Sequence, residues 1–453
     1  MLTKIIFLNA AKAQKMKAMF LQNDGLANKI SYWHLVLFLL TLSFDGFYSQ
    51  VVLISFVVHT LIHAKRNDWN NLLRKEVFVL ASVFFLTVMC TIYSSNQREA
   101  FRLLSRQSAI LIFPLVLFLN RIDLRKCTKP LLLAFSFVSV LVVFYLYVDA
   151  LRIIRYNHLP LSTLIKPAFL NHNFSEPIGM HATYLSLYLA LSLASILYYG
   201  TSTRRPLIRT LYFFSACVLL VGLIQLESRA TLIALLLLLF FVAPFFLKDK
   251  KQRGLIGISV LFVAALATVI VFAGSFRTRF LSEMKEDLSE NSVATSIADS
   301  RMQRWALATD LIKKSPLIGY GAGDEVDLLK EQYFNHKLYD SYLNKLNAHN
   351  QYISFLLTGG ALALTIYLYT LFWGLRLAVK AKNFLFISFV VLIAVVSVSE
   401  NILSRNKGIF FYGFFFSLFV CAHCKRKTAS VEYESAKQTG NLTVHSYVSI
   451  DNV

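Results

Sequence analysis

The sequence predicts an all-α polytopic membrane protein of about twelve transmembrane helices, with one large outer loop between the ninth and the tenth. Three observations carry that prediction. Of 453 residues, 56% are hydrophobic and 16% charged, with a mean hydropathy of +0.57, whereas soluble domains carry about 25% charged residues. The apolar residues come in runs, several close to the roughly 20 that cross a bilayer as helix. Lys and Arg alternate with those runs as the positive-inside rule requires. No period-2 barrel pattern is present, so helices remain the way to satisfy backbone polar groups in lipid.

In order, spans are read at 32–45, 48–64, 76–93, 107–120, 130–150, 179–199, 208–226, 229–247, 254–274, 350–376, 383–400 and 408–422. The chain therefore divides into a basic leader 1–31, nine spans within 32–274, an outer loop 275–349, three spans within 350–422 and a polar tail 423–453. No cleavable small-residue site follows the leader, which is read as cytoplasmic rather than removed. The tail has the composition of a poorly ordered end.

With the N-terminus cytoplasmic, the inner segments are 1–31, 65–75, 121–129, 204–209, 248–253, 376–382 and the start of the tail at Lys425, Arg426 and Lys427; all seven are basic. Both termini are then cytoplasmic. The same assignment explains the net charge of +21, since the outer loop 275–349 holds 10 Lys and Arg against 11 Asp and Glu. The basic excess meets anionic lipid. It forms no basic face on a folded domain, so nucleic-acid binding is excluded.

Arginines predicted to face outward break this trend and need another reason. They are Arg98, Arg102 and Arg106 before the fourth span, Arg152, Arg155, Arg229, Arg301, Arg304 and Arg405. Arg229 sits on the tight connection Gln225-Leu226-Glu227-Ser228-Arg229-Ala230. A guanidinium held at the membrane surface needs an anion. Glu227 is one candidate partner; a lipid phosphate or a pyrophosphate is the other, because the planar fork of Arg matches phosphate oxygens.

Within the outer loop, 299–314 reads as an amphipathic helix, capped by Asp299 or Ser300, with Met302, Trp305, Ala306, Leu311 and Ile312 on its apolar side. Pro316 ends it. Gly319, Gly321 and Gly323 follow; with no Gly-Lys-Ser/Thr after them they mark a backbone bend rather than a phosphate loop. A second short helix starts near Asp324 and runs through Tyr333. His349 then stands where the loop re-enters the membrane, followed by Asn350 and the Gly359-Gly360 pair. Histidine is the usual general base near neutral pH, although by composition alone a membrane-edge histidine is more often an interfacial hydrogen-bonder. No histidine pair has the spacing of a zinc site, and no carboxylate cluster suits a hard metal. Cys421 and Cys424 form a single C-x-x-C, read as two membrane-edge thiols open to acylation.

The stretch Arg301 to Gly360 resembles the signature region of the O-antigen ligase and O-antigen polymerase superfamily. The resemblance rests on Arg304-Trp305, Ser315-Pro316-Leu317-Ile318-Gly319-Tyr320-Gly321, and His349-Asn350-Gln351-Tyr352-Ile353 before Gly359-Gly360, with Ser228-Arg229-Ala230-Thr231-Leu232 upstream. It implies a glycosyltransferase at the periplasmic face of the bacterial inner membrane, acting without cofactor or metal. The implied donor is a glycan on undecaprenyl diphosphate, and the acceptor is lipid A-core or another glycan. Arg229 and Arg304 would hold the pyrophosphate, with Arg106 and Arg405 extending the anion site, and His349 would position or deprotonate the acceptor hydroxyl. Attack opposite the leaving diphosphate implies inversion. The segment Phe174 to Tyr184 also resembles family members; His181 and Tyr184 there are read as cavity contacts, or alternatively as packing at a helix start, and Asn350 beside His349 is counted with them as an acceptor or cavity contact. Within the superfamily, a ligase is the first reading and a polymerase the second. A twelve-span transporter is the rival from another class, but its long loop would fall inside, between spans six and seven.

Overall fold

The structure, a computed structural model, describes residues 24–44, 46–246 and 300–438. These contain helices and no strand: α1 (Leu26–Thr41), α2 (Gly46–His63), α3 (Lys75–Ile92), α4 (Gln97–Leu119), α5 (Leu124–Tyr156), α6 (Ala182–Ser202), α7 (Pro206–Leu226), α8 (Arg229–Leu237), α9 (Arg301–Lys314), α10 (Glu325–Asn335), α11 (Gln351–Lys380), α12 (Phe384–Val396) and α13 (Asn406–Gln438). A π turn over Leu238–Val242 and the short Ala243–Phe246 prolong α8. Among the described residues eight helices, α2 to α7, α11 and α13, are long and apolar enough to cross a membrane. α8 and α12 are shorter apolar helices, and α1 has 16 residues. The predicted span at 254–274, the inner segment 248–253 and the loop residues before 300 lie outside the described residues, as do residues 1–23 and 439–453.

α1 starts at Leu26, inside the predicted leader, and α13 runs on to Gln438, through the start of the tail that composition marks as a poorly ordered end. Two further boundaries differ from the sequence expectation. α4 starts at Gln97 rather than near 107, because Asn96 caps it by accepting a hydrogen bond from the Glu99 amide at 3.1 Å. Arg98, Arg102 and Arg106 are therefore not in a connection but on the first turns of a helix, spaced to share one face. α5 covers 124–156 rather than 130–150: Asp123 caps its start and Asp149 pairs with Arg152 near its end at 2.8 Å. Both helices run on past their apolar stretch because local caps and ion pairs satisfy their ends.

α13 forms the axis of the bundle. Its apolar window is 83% buried, against 22% for α2 and for α7, which face outward. Phe411, Phe414, Phe415, Phe416 and Phe419 on α13 meet Phe38, Phe113, Phe135, Tyr188 and Phe389 on five neighbouring helices, with ring centroids 4.9–6.4 Å apart. Cys421 and Cys424 lie buried in this packing, Cys421 against the Leu117 carbonyl at 3.4 Å. The reading of both as lipid-edge thiols is thereby corrected.

The segment after α9 is held by a break in α11. Gly359 (φ −137°, ψ 17°) and Gly360 (φ 62°, ψ −156°) leave the helix. The Leu357 and Thr358 carbonyls accept from the Tyr320 and Gly321 amides at 2.8 and 2.9 Å, and the Ala361 amide donates to the Pro316 carbonyl at 2.8 Å. The Ala322 amide donates to the Cys90 carbonyl at 3.1 Å, tying the same segment to α3. Gly319 (φ +63°) and Gly360 are required: a Cβ at 319 would lie 2.5 Å from the Leu357 oxygen, and one at 360 would lie 2.2 Å from the Leu317 carbonyl carbon. Gly360→Ala is therefore expected to cost more than about 2 kcal/mol, read as a lower thermal midpoint in detergent. Gly25→Ala, whose Cβ meets nothing within 4 Å, should match wild type.

Candidate active site

A cavity of about 800 Å³ opens between the starts of α2 and α6, the segment before α11, the connection between α12 and α13, and Arg106 of α4. Arg106, His181, Tyr184, His349, Glu400 and Arg405 line it, with Phe47 and Gln50 at the start of α2 and Asn344 and Asn347 before α11.

α9 supplies one support. Ser300 caps it, accepting from the Gln303 amide at 3.4 Å. Its buried stripe is Arg304, Leu307, Ala308 and Leu311, packed with Leu329 and Tyr333 of α10 and Leu357 of α11. The sequence reading had placed Ala306 on the apolar face; it is exposed, and Arg304 takes a place in the stripe. The neighbouring Trp305 donates its indole N–H to the Ala348 carbonyl at 2.8 Å, directly before His349.

α10 supplies the second support through two adjacent carboxylates. Asp324 accepts from the Ser94 hydroxyl (2.7 Å) and from the Ser95 and Asn96 amides (3.0 and 2.8 Å), at the N-terminal end of α4 where the helix dipole favours an anion. Glu325 is buried and accepts from the Ser354 hydroxyl, the Ala348 amide (3.2 Å) and the Asn401 side-chain amide (3.2 Å). Burial pushes the Glu325 carboxyl above its ordinary range, against the lowering effect of those hydrogen bonds and of His349.

His349 itself takes a left-handed backbone conformation, φ +46°, uncommon outside glycine and costing about 1–2 kcal/mol. Its amide donates to Asn347 Oδ1 at 3.0 Å. Its Nδ1 lies 3.7 Å from Glu400 Oε1. Burial works to raise the Glu400 carboxyl, yet His349, His181 and Arg301 hold it below the usual carboxylate range. His181 caps α6 by accepting from the Thr183 amide at Nδ1 (3.4 Å), and its ring lies 3.9 Å from that of His172. Burial pushes the His181 imidazole below its ordinary value; Glu400 opposes this, and His349, Arg405 and Arg301 add to it. A neutral His181 with Nδ1 so engaged carries its proton on Nε2.

Residues 213–368 match the family model described as O-antigen ligase. That match over about a third of the chain supports the O-antigen ligase and polymerase superfamily. A search of the curated proteins found no match. The O-antigen ligase region runs from α7 into α11 and includes Arg229, Arg304 and His349; His181, Glu400 and Arg405 complete the cavity from outside it.

Of the site residues expected from sequence, the cavity brings together His349, His181, Tyr184, Arg106 and Arg405. Tyr184 donates to the Asn401 carbonyl at 3.3 Å, and Arg106 to the Ser404 carbonyl at 3.5 Å. The segment Phe174 to Tyr184 serves both purposes considered for it, because Phe174 packs on Tyr147 while His181 faces the cavity. Arg229 and Arg304 are not in its lining. Arg304 is buried, and its Nε and Nη1 have no hydrogen-bond partner among the described residues. Asn350, expected as a cavity contact, is instead the N-cap of α11, accepting from the Tyr352 and Ile353 amides at 2.9 and 3.2 Å. Sequence reasoning missed Glu325 and Glu400. Glu400 carried a signal: it is a lone carboxylate closing the apolar run 384–399. Among the described residues no group of three or more His, Cys, Asp and Glu is arranged to hold a metal ion.

Glu325→Ala leaves three donors without their acceptor and is expected to destabilise by about 3 kcal/mol. Glu325→Gln keeps the oxygen facing Ala348 and Asn401, and its amide meets a Ser354 hydroxyl able to accept, so it should fold. With the folded carboxyl titrating above its ordinary 4.5, the native state holds the extra proton, and stability falls as pH rises from about 4.5 through the raised value. Thermal midpoints from about pH 4.5 to neutral should therefore fall less steeply in Glu325→Gln than in wild type.

Proposed function

We propose that the protein transfers a glycan from undecaprenyl diphosphate to an acceptor hydroxyl, and that it is an O-antigen ligase whose acceptor is lipid A-core. The observation that carries this reading is a cavity of about 800 Å³ with His349 on its wall, adjoining an O-antigen ligase region that also contains Arg229 and Arg304. The volume falls in the range of small-molecule sites. His349 takes the acceptor proton as the oxygen attacks the anomeric carbon. The bond to the diphosphate breaks on the opposite side, the electron pair leaves with the diphosphate, and the configuration inverts. A guanidinium buried without a partner on Nε and Nη1 among the described residues is costly until an anion reaches it, which supports Arg304 as a diphosphate ligand. Arg229 opens α8 at its positive dipole end. Together they supply the charge stabilisation on which such a transfer depends. Arg106 and Arg405, which line the cavity, extend the anion site. The cavity end of the bundle faces the periplasm, and both termini are cytoplasmic.

In nanodiscs holding undecaprenyl-diphosphate-linked oligosaccharide and lipid A-core, wild type should form glycosylated lipid A-core. His349→Ala and Arg304→Ala should each lower the rate about 100-fold or more. Glycan lengthening without that product would assign a polymerase at the same site, and wild-type rates in both variants would overturn the reading. Alkaline phosphatase fused after Ile165 should be active and after Arg205 inactive; the reverse pattern would invert the topology.

A further inference from the structure

Glu400 lies outside the O-antigen ligase region, on the connection between α12 and α13. It is 7% exposed, and its ion pair with His349 is the one it makes among the described residues. A buried carboxylate with an imidazole for its ion-pair partner depends on that imidazole for compensation of its charge.

The pair is held from both sides by one connected network. The Asn401 amide donates to Glu400 Oε1 at 3.3 Å, while its side chain donates to Glu325 Oε1 at 3.2 Å. The same Glu325 oxygen accepts the Ala348 amide at 3.2 Å, one residue before His349. Glu400, Asn401, Glu325 and Ala348 thus form a path from the carboxylate back to the backbone of the histidine it faces. The Gln351 amide donates to the Ser397 carbonyl at 2.8 Å, and the Leu403 amide to Gln351 Oε1 at 2.8 Å, so the Glu400 connection and the start of α11 move as one piece. The other charged or titratable groups facing Glu400 are His181 and Tyr184 from the start of α6 and Arg301 from α9.

We infer that Glu400 is the positioning residue for His349, orienting the ring through Nδ1 so that Nε2 faces the cavity as the proton acceptor. The inference rests on the reading of His349 as the base. In the transfer step the acceptor proton moves to Nε2, and the imidazolium so formed donates from Nδ1 to the Glu400 carboxylate, which stays ionised. A carboxylate behind a catalytic imidazole fixes its tautomer and stabilises its charged form.

The test combines transfer kinetics with the ring itself. Glu400→Gln should lower kcat about 10- to 100-fold with donor KM unchanged, Glu400→Asp should recover part of the loss, and neither should cost anything further in a His349→Ala background. In ¹⁵N-histidine protein in nanodiscs, the signals absent from His349→Ala should report a proton on Nδ1 in wild type and a redistribution in Glu400→Gln, a readout that needs no substrate. If Glu400→Gln fails to insert, Glu400→Asp decides alone by an intermediate kcat. Wild-type kcat in the Glu400 variants, losses additive with His349→Ala, or an unchanged His349 signal would overturn the inference. Wild-type transfer by His349→Ala would overturn the function reading instead.

Discussion

Breaking α11 at Gly359 and Gly360 strips two carbonyls of their helical partners, and the rest of the site depends on what replaces them. The Tyr320 and Gly321 amides do so, with the Pro316 carbonyl closing the other side of the break. Irregular backbone is tolerated at such depth only where protein buries it and completes its hydrogen bonds. Here the requirement clamps the segment that follows α9 into the bundle. That clamp sets where α10 begins, so Asp324 reaches the start of α4 while Glu325 turns inward beneath Ala348. His349 is positioned by this chain of contacts as much as by its own helix.

Two buried carboxylates stand near that histidine, and their environments push them in opposite directions. Glu325 is ringed by neutral donors, which do not outweigh its burial. Glu400 faces His349, His181 and Arg301, which do. The first acts as a hydrogen-bonding hub and the second as a fixed negative charge. Such divergence between neighbouring groups is how a site assigns separate roles to the same side-chain chemistry.

The helices were legible because hydrophobic runs report burial in lipid or protein without regard to the partner. α3, α6 and α11 fall where their apolar residues predict. The ends of α4 and α5 were not, because Asn96, Asp123 and the Asp149–Arg152 pair extend helix through polar sequence. The outward arginines were visible as exceptions to a charge rule, yet their separation into cavity-lining groups (Arg106, Arg405) and a buried group (Arg304) was not. On α9 the buried stripe contains Arg304 itself, so polarity misplaced the face by about one position.

From the sequence alone came the helical class, the order of the elements and, through the signature residues, the resemblance to the superfamily. These are properties of local composition and of short spacings along the chain. Tertiary structure alone decided that Glu400 faces His349 and that Glu325 binds Ala348, Ser354 and Asn401 together. Those pairings join residues dozens of positions apart. A carboxylate's role is set by which donors surround it in space, and no periodicity or spacing along one chain records that.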